Sequence, residues 1–296
     1  MVNEALVSVR PAVPLARLNQ SGSTLKIPFD RMSAPSETVV MSPANLILVP
    51  CLTDNYCVLL RASGSGETII IDAPAAEPIA AALDANGWRL NSILVTHHHN
   101  DHTAGCLALK ARYNCQIIGP EAEADRIPGL THAVSEGAKL QFDAHDVQVL
   151  ETPGHTLGHV SYYFPHLKTV FTGDTLFALG CGRIFEGDAQ LMFTSLQKIA
   201  ALPDDTEVYC GHEYTLANAR FAVSVEPEND AVTARAKSVE ASRAVGKPTL
   251  PTTIGAEKAS NPFLRPQSAA IRARLGLAFA PDWQVFARLR ELKNKA

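Results

Sequence analysis

The sequence predicts a layered α/β protein in which a β-rich first part is followed by a helical second part. Nine short apolar runs between residues 45 and 210 have the composition of strands, and helical patterns lie among them. After residue 212 the patterns are helical. With 296 residues, 46% hydrophobic and 19% charged, the chain can form one large or two ordinary globular domains with a substantial core.

The first forty-one residues differ from the rest because they contain four prolines, several Ser and Thr residues and no sustained periodicity. We expect a loose extension there, with a mitochondrial presequence or a mis-assigned start at Met32 or Met41 as alternatives. The predicted organisation is therefore an extension over 1–41, an α/β domain over 42–212 and a helical domain over 213–296.

Turn residues bound the predicted strands, and Ser63-Gly64-Ser65-Gly66 predicts a hairpin between the second and the third. The strands are predicted over residues 45–50, 56–62, 68–72, 92–96, 116–119, 147–152, 160–164, 170–172 and 207–210. Helices are predicted over residues 76–86, 103–112, 188–202, 213–245, 266–275 and 283–294. The helix at 188–202 has Asp188 as its N-cap and stops before Pro203. This order suits a layered α/β domain better than a regular βαβ repeat.

Composition excludes several classes of protein. A formal charge of −4 argues against an extended nucleic-acid surface, and the absence of a long apolar run argues against a membrane span. The six cysteines form no C-x-x-C pair, which indicates buried free thiols in a reducing compartment. We therefore expect a cytoplasmic protein, or a protein of the mitochondrial matrix if residues 1–41 are a presequence. We also expect a monomer. Any metal is expected to be held by residues other than cysteine.

Four histidines and an aspartate are crowded into one segment, Thr96-His97-His98-His99-Asn100-Asp101-His102, directly after an apolar strand. Because side chains two residues apart point the same way in an extended chain, His97 and His99 can bind one metal. Asp101 and His102 can face a second metal where the chain turns into the next helix. A polar loop with ordinary hydrogen-bonded histidines is the alternative, but the density of ligand-type residues favours a metal site.

Three further ligand-type residues, His155, Asp174 and His212, each follow a glycine near the end of a predicted strand. Each alone would more often be structural, as a capping aspartate or a buried histidine. Because His98 is expected to face away from the metals, the first segment and these three residues together supply five histidines and two aspartates on four loops. Two metals need about this number of ligands if a carboxylate and a water or hydroxide bridge them.

On these motifs the sequence resembles the metallo-β-lactamase superfamily and, within it, the glyoxalase II (hydroxyacylglutathione hydrolase) family. The resemblance extends from about residue 45 to residue 293 and depends on the segments 96–102, 152–159, 172–177, 180–183, 210–214 and 261–265. The first segment is common to the superfamily, and the others are more specific to glyoxalase II. The resemblance implies an αββα sandwich followed by a smaller helical C-terminal domain that helps bind glutathione.

The resemblance also implies roles for individual residues. One metal is expected on His97, His99 and His155, and the other on Asp101, His102 and His212. Asp174 is expected to bridge the two, and Asp101 and Asp174 count as catalytic because they hold the reacting centre. Zinc is the expected metal, with iron or manganese as alternatives, since His and Asp ligands suit all three.

The positions that contact glutathione in the family fall on Arg183, Tyr214, Arg290 and Lys293. Without the resemblance, Arg290 and Lys293 would be assigned to a solvated helix face. Phe185 departs from the family pattern because a tyrosine often supplies a hydroxyl group at that position.

The implied reaction is hydrolysis of S-(2-hydroxyacyl)glutathione, in particular of S-D-lactoylglutathione to D-lactate and glutathione in methylglyoxal detoxification. A metal-bridging hydroxide would attack the thioester carbonyl, and the thiolate, with a pKa of about 8.5, would leave with little acid assistance. The alternatives are a mononuclear iron persulfide dioxygenase of the same superfamily and a non-catalytic metal-binding relative. A nuclease or lactamase is disfavoured by the acidic balance and by the segments specific to glyoxalase II.

Overall fold

Two six-stranded sheets form the β-rich part of the molecule. The computed structural model describes residues 44–143 and 145–296, so the predicted extension over 1–41 lies outside the described residues. The first sheet has the order β1-β2-β3-β4-β5-β6, and the second has the order β14-β13-β10-β9-β8-β7. A two-stranded hairpin, β11-β12, stands apart from both.

The strands of the first sheet are β1 (Asn45–Cys51), β2 (Asn55–Arg61), β3 (Thr68–Ile71), β4 (Ser92–Leu94), β5 (Gln116–Pro120) and β6 (His132–Val134). Those of the second sheet are β7 (Lys139–Phe142), β8 (His145–Glu151), β9 (Val160–Phe164), β10 (Thr169–Gly173), β13 (Glu207–Cys210) and β14 (Thr252–Thr253). The hairpin consists of β11 (Leu176–Phe177) and β12 (Gly180–Cys181). Strands β3 to β6 pair in parallel, as do β10 and β13.

Nine α-helices occur in the described part of the chain: α1 (Ala76–Ala85), α2 (Asn100–Thr103), α3 (Cys106–Tyr113), α4 (Ala189–Ala200), α5 (Thr215–Val225), α6 (Asp230–Ala244), α7 (Ile254–Ser260), α8 (Ala269–Leu275) and α9 (Asp282–Asn294). The predicted cap of α4 is confirmed, since the Asp188 side chain accepts a hydrogen bond from the Leu191 backbone N–H at 2.8 Å.

Successive side chains of a strand point to opposite faces of its sheet, so each sheet packs on both faces and the molecule has four layers. In β2, Val58 and Leu60 belong to the core between the two sheets, whereas Cys57 and Leu59 belong to the core under α1 and α3. The outer face of the second sheet packs against α4 and the C-terminal helices. The αββα sandwich with a helical C-terminal part is thus confirmed. The parallel strands β3, β4 and β5 are almost entirely buried, which agrees with their continuous apolar sequences.

Most predicted elements are confirmed, and the exceptions are short or interrupted. The elements that were not predicted are β6, β7, β11, β12, β14, α2 and α7, and the structure has two helices, α5 and α6, where one helix over 213–245 was predicted. The break lies at 226–229 and contains Pro227, which has no N–H for a helix interior. Strand β14 corrects the expectation that the chain after residue 212 is helical throughout, because it pairs with β13 in the second sheet.

All six cysteines are buried free thiols, as predicted. No helix in the described residues has both the length and the apolar character that crossing a membrane requires. The domain limits at residues 41, 212 and 213 stay a prediction.

Candidate active site

The ligand-type residues identified in the sequence lie in loops that follow strands of both sheets. The segment with His97 follows β4, the loop with His155 follows β8, Asp174 follows β10 and His212 follows β13. Because β10 and β13 are parallel, their carboxyl ends meet at the same edge of the second sheet. The fold therefore brings residues as far apart in sequence as His97 and His212 to one edge of the sandwich.

Three of these histidines form the first ligand group. The Nε2 atoms of His97 and His155 each lie 3.0 Å from Nδ1 of His99. Burial lowers the pKa of each of the three imidazoles, and neighbouring histidines lower the pKa values of His97 and His99 further. The neutral imidazole is the form that binds metals. His155 is further oriented by an Nδ1 contact of 2.8 Å with the carbonyl of Arg183.

Asp101, His102 and His212 form the second ligand group. The Nε2 atoms of His102 and His212 are 3.3 Å apart, and Oδ2 of Asp101 lies 3.5 Å from Nε2 of His212. The Asn55 side-chain amide donates to both the carboxylate and the backbone carbonyl of Asp101, at 3.2 and 3.1 Å. These two hydrogen bonds fix the position of Asp101 in the second group.

Asp174 lies between the two groups. Its Oδ2 is 3.4 Å from Nε2 of His155 in the first group and 3.4 Å from Nε2 of His212 in the second, and its Oδ1 is 3.5 Å from Nε2 of His102. Although burial raises the pKa of this carboxyl group, His102 and His212 hold it well below its usual value. Asp174 is thus a carboxylate shared between two sets of imidazoles.

The donor set fits divalent cations. Oδ1 of Asp174 is buried and has no hydrogen-bond partner among the described residues, although a buried carboxylate oxygen normally has one. A Cβ atom at Gly211 would lie 2.6 Å from this oxygen and 2.7 Å from Cε1 of His102, so glycine leaves space against the ligand atoms. Imidazole nitrogens with carboxylate oxygens suit zinc, iron or manganese.

Two carboxylates that the sequence analysis did not single out hold the histidines of the second group. Oδ2 of Asp72 lies 2.8 Å from Nδ1 of His102, and Oδ1 of Asp72 accepts from the Thr96 backbone N–H at 2.7 Å. Oδ1 of Asp54 lies 2.9 Å from Nδ1 of His212. Both imidazoles therefore turn Nε2 toward Asp174, as carboxylate partners of metal-binding histidines do. Asp72 directly follows β3, which is the parallel neighbour of β4. A carboxylate at the end of a strand next to the one that precedes the histidines is the sequence feature that could have identified it.

The two other histidines of these motifs stay outside the ligand groups. His159 is fully buried, accepts a hydrogen bond from the Asp174 backbone N–H at 3.1 Å and contacts Oγ1 of Thr152 at 2.9 Å. His98 points instead to Glu123, whose Oε2 lies 2.8 Å from its Nδ1. His159 therefore fixes the backbone of Asp174, and His98 connects the loop of His97 and His99 to Glu123.

A cavity of about 840 Å³ opens onto both ligand groups. Its walls include five of the ligand-type residues: His99, Asp101, His155, Asp174 and His212. They also include the four residues expected to contact glutathione: Arg183, Tyr214, Arg290 and Lys293. Both predicted sets of residues thus border one cavity, which is large enough for a tripeptide-sized ligand.

Two of the basic residues of α9, Arg290 and Lys293, are held by contacts with the rest of the protein. Arg290 is only 5% exposed, donates to the Cys181 carbonyl at 2.7 Å and stacks over Phe263. Lys293 donates to the Ala217 carbonyl at 3.0 Å. These contacts orient the cations toward the cavity, but they also use part of the donor capacity of Arg290 and Lys293.

Two aromatic rings complete the cavity wall. Tyr214 stacks on His212 with ring centroids 4.7 Å apart. Phe185, at the position where a tyrosine was noted as common, packs edge-on against His99 and His155 with centroids 5.7 and 5.2 Å apart. Its ring is 62% exposed and offers an apolar surface beside the first ligand group.

Two family models and relatives of known name match this chain. Residues 52–212 match the family model of the metallo-beta-lactamase superfamily, and residues 213–296 match that of the hydroxyacylglutathione hydrolase C-terminus. The chain is 53% identical over 254 residues to the hydroxyacylglutathione hydrolase of Rhizobium meliloti (strain 1021), covering 86% of this chain and 99% of the relative. It is 54% identical over 244 residues to that of Mesorhizobium japonicum, covering 82% and 96%.

Solved structures are similar at lower sequence identity. ETHE1 from Myxococcus xanthus has a TM-score of 0.60 at 25% identity, covering 84% of this chain and 90% of that protein. The BLEG-1 B3 metallo-beta-lactamase has a TM-score of 0.58 at 24% identity, covering 75% and 100%. These structural similarities support the fold.

Proposed function

The chain belongs to the glyoxalase II (hydroxyacylglutathione hydrolase) family of the metallo-β-lactamase superfamily, and on this basis we propose that it hydrolyses the thioester of S-(2-hydroxyacyl)glutathione. The expected substrate is S-D-lactoylglutathione, with D-lactate and glutathione as products. The observation that carries the proposal is the single cavity bordered by both ligand groups and by Arg183, Arg290 and Lys293.

We further propose that the site holds two divalent ions, with Zn²⁺ as the first choice. His97, His99 and His155 would hold one ion, Asp101, His102 and His212 the other, and Asp174 would contribute to both. Such ions supply a hydroxide nucleophile at neutral pH and positive charge near the reacting carbonyl. The buried Oδ1 of Asp174, which lacks a hydrogen-bond partner within residues 44–143 and 145–296, supports this assignment.

The residues of the chain itself bind and orient the substrate. Arg183, Arg290 and Lys293 present positive charge to the two carboxylates of glutathione, and the planar guanidinium groups can bind a carboxylate through two hydrogen bonds. The apolar ring of Phe185 lies beside the first ligand group. A thiolate leaving group with a pKa of about 8.5 needs no dedicated acid, which agrees with a site built from metal ligands and cations.

The persulfide dioxygenase alternative is not favoured. On the sequence argument such an enzyme would lack the helical domain and its basic residues, whereas residues 213–296 match the hydroxyacylglutathione hydrolase C-terminus. The similar enzymes from Rhizobium and Mesorhizobium are bacterial, so a mitochondrial presequence gains no support. We propose that the protein acts in the cytoplasm as a monomer.

The direct test is hydrolysis of S-D-lactoylglutathione together with metal analysis of the same sample. We expect His99→Ala and Asp174→Ala each to lower kcat/KM by about 100-fold or more, because each removes a ligand on which the nucleophile depends. The exposed His166→Ala is the matched control and should leave kcat/KM unchanged.

Removing the metals with a chelator should abolish activity, and adding Zn²⁺ should restore it. Thioesterase activity that survives both the substitutions and the chelator would contradict the proposal. Oxygen consumption with glutathione persulfide, in place of thioester cleavage, would point to the dioxygenase instead.

A further inference from the structure

Glu123 is a buried carboxylate that joins two loops of the candidate active site. We propose that Glu123 is a positioning residue that holds the loop of His97 and His99 in register with the loop of His155. The inference rests on the proposed function, because it takes these three histidines as the ligands of one metal.

Each end of the Glu123 carboxylate binds a different loop. Its Oε2 accepts a hydrogen bond from the His98 backbone N–H at 2.6 Å and lies 2.8 Å from Nδ1 of the same residue. Its Oε1 accepts from the Gly158 backbone N–H at 3.0 Å. His98 stands between His97 and His99 in sequence, and Gly158 comes three residues after His155.

The close approach of Glu123 explains a glycine in the second loop. A Cβ atom at position 158 would lie 2.5 Å from Cγ of Glu123 and 3.0 Å from its Oε1, so a larger residue there would displace the carboxylate. The backbone at Gly158 does not have a positive φ, and glycine is therefore not needed for its conformation. The approach of Glu123 is the steric reason for a glycine at this position.

Glu123 lies in a short 3₁₀ helix, Glu121–Arg126, and a second residue of this helix also connects to the loop of His155. Arg126 pairs with Glu186 at 2.7 Å, and Glu186 in turn accepts from the Leu157 backbone N–H at 3.0 Å. These residues are partly exposed, so this ion pair contributes little stability. Glu123 is only 2% exposed, and its connection is consequently the stronger of the two.

Burying a carboxylate is costly unless its oxygens are fully hydrogen-bonded. Glu123 meets that condition with donors from both loops, which makes it a cross-link rather than a vacant ligand. Glu123, His98 and Glu186 are close enough for a third cation site. Because both oxygens of Glu123 already accept hydrogen bonds, a positioning role fits better than metal binding.

The test compares Glu123→Gln with the exposed Glu121→Gln on the same helix. The amide presents an N–H₂ group to one of the two loops, so one hydrogen bond becomes a contact between two donors. We expect kcat for S-D-lactoylglutathione to fall about 10- to 100-fold, the range typical of partners that orient metal ligands, while KM stays near the wild-type value. Glu121→Gln should change neither.

A readout independent of activity is ¹¹³Cd NMR of the cadmium-loaded protein. The two ligand groups differ in nitrogen and oxygen content and should give separate resonances. We expect the resonance of the three-histidine group to shift or broaden in Glu123→Gln, and that of the group with Asp101 to stay unchanged. Equal changes in both resonances, or no change in either, would overturn the proposal.

Gly158→Ala tests the same contact from the other loop and covers the case in which Glu123→Gln does not fold. It should reproduce the cadmium shift, and the double variant should lose little more activity than either single variant, because both remove one interaction. Fully additive losses would overturn the proposal. A wild-type protein without thioesterase activity would refute only the proposed function, since the cadmium experiment does not depend on turnover.

Discussion

Individual carboxylates determine which nitrogen each histidine of the second ligand group presents. Asp72 and Asp54 contact Nδ1 of His102 and His212, at 2.8 and 2.9 Å, and leave Nε2 of each ring directed toward Asp174. Asp72 is buried, whereas the side chain of Asp54 is 38% exposed. Asp54 can therefore be replaced with less risk to the fold.

We expect Asp54→Ala to weaken metal binding by the second group by about 10- to 100-fold, because His212 loses the partner that orients it. Competition with a chromogenic chelator measures the change. The neighbouring, exposed Thr53→Ala is the control. Unchanged metal affinity in Asp54→Ala would show that Asn55 and Tyr214 suffice to orient His212.

Substitution of Arg290 and substitution of Lys293 should have different effects on the stability of the protein. Lys293→Ala is expected to raise KM for the glutathione thioester about tenfold, through loss of a charged contact, with little change in melting temperature. Arg290→Ala should raise KM and also lower the melting temperature, because Arg290 is buried against Phe263 and bonded to the Cys181 carbonyl. The exposed Arg288→Ala is the control.

An unchanged KM in the double variant Arg290→Ala with Lys293→Ala would show that the substrate carboxylates bind elsewhere. Arg183 would then be the remaining cation of the cavity wall in the described structure.

At the level of elements, α7 holds the hairpin that precedes Arg183. Glu257 in α7 is fully buried, and its Oε2 accepts from the Leu179 backbone N–H at 2.9 Å, between β11 and β12. Its other oxygen pairs with Arg235 of α6. Asn261, directly after α7, donates to the Gly180 carbonyl at 2.9 Å. A helix after residue 212 thus sets the position of the turn that precedes Arg183.

We expect Glu257→Gln to lower the free energy of unfolding by about 3 kcal/mol, because it leaves the partly buried Arg235 without its charged partner. KM for the thioester should rise as the hairpin loosens. Chemical denaturation and steady-state kinetics measure the two effects. Glu240→Gln, on the exposed side of α6, is the control, and equal stability of the two variants would contradict this role for Glu257.

At the scale of the whole molecule, the α/β part and the C-terminal part both contribute to the second sheet and to the cavity. Strand β14 extends the second sheet, and α9 supplies Arg290 and Lys293 to the cavity that also exposes Asp174. The net charge of the chain is −4, yet the cavity has three basic residues in its wall. Attraction of an anionic substrate is therefore local, not a property of the overall charge.

Salt should weaken binding of the glutathione thioester more than binding of a neutral one. Screening lengths fall from about 10 Å at 0.1 M to about 3 Å at 1 M ionic strength, so KM for S-D-lactoylglutathione should rise several-fold over that range. The uncharged thioester of N-acetylcysteamine is the matched substrate, and its KM should change little. Parallel salt dependence for both substrates would contradict electrostatic recognition in this cavity.

Much of the fold could be predicted because its signals are local. Strands such as β2 and β9 are short apolar runs between turn residues, and α4 has a capping aspartate and a helical stripe. Strands β11, β12 and β14 have two residues each and are defined only by hydrogen bonding to their partner strands. They are too short to show a periodic pattern in the sequence. The loop patterns predicted which histidines and aspartates gather, whereas Asp54, Asp72 and Glu123 lie outside those patterns.

By itself, the sequence determined the type of site, since ligand-type residues after apolar strands and glycines before ligands are readable as patterns. Only the tertiary structure decided which nitrogen each histidine presents, that Asp174 lies between two groups, and that Arg290 is buried. The physical reason is that these properties depend on hydrogen bonds and burial between residues far apart in the chain. A pattern along one chain carries residue type and spacing, but it carries no information on such long-range contacts.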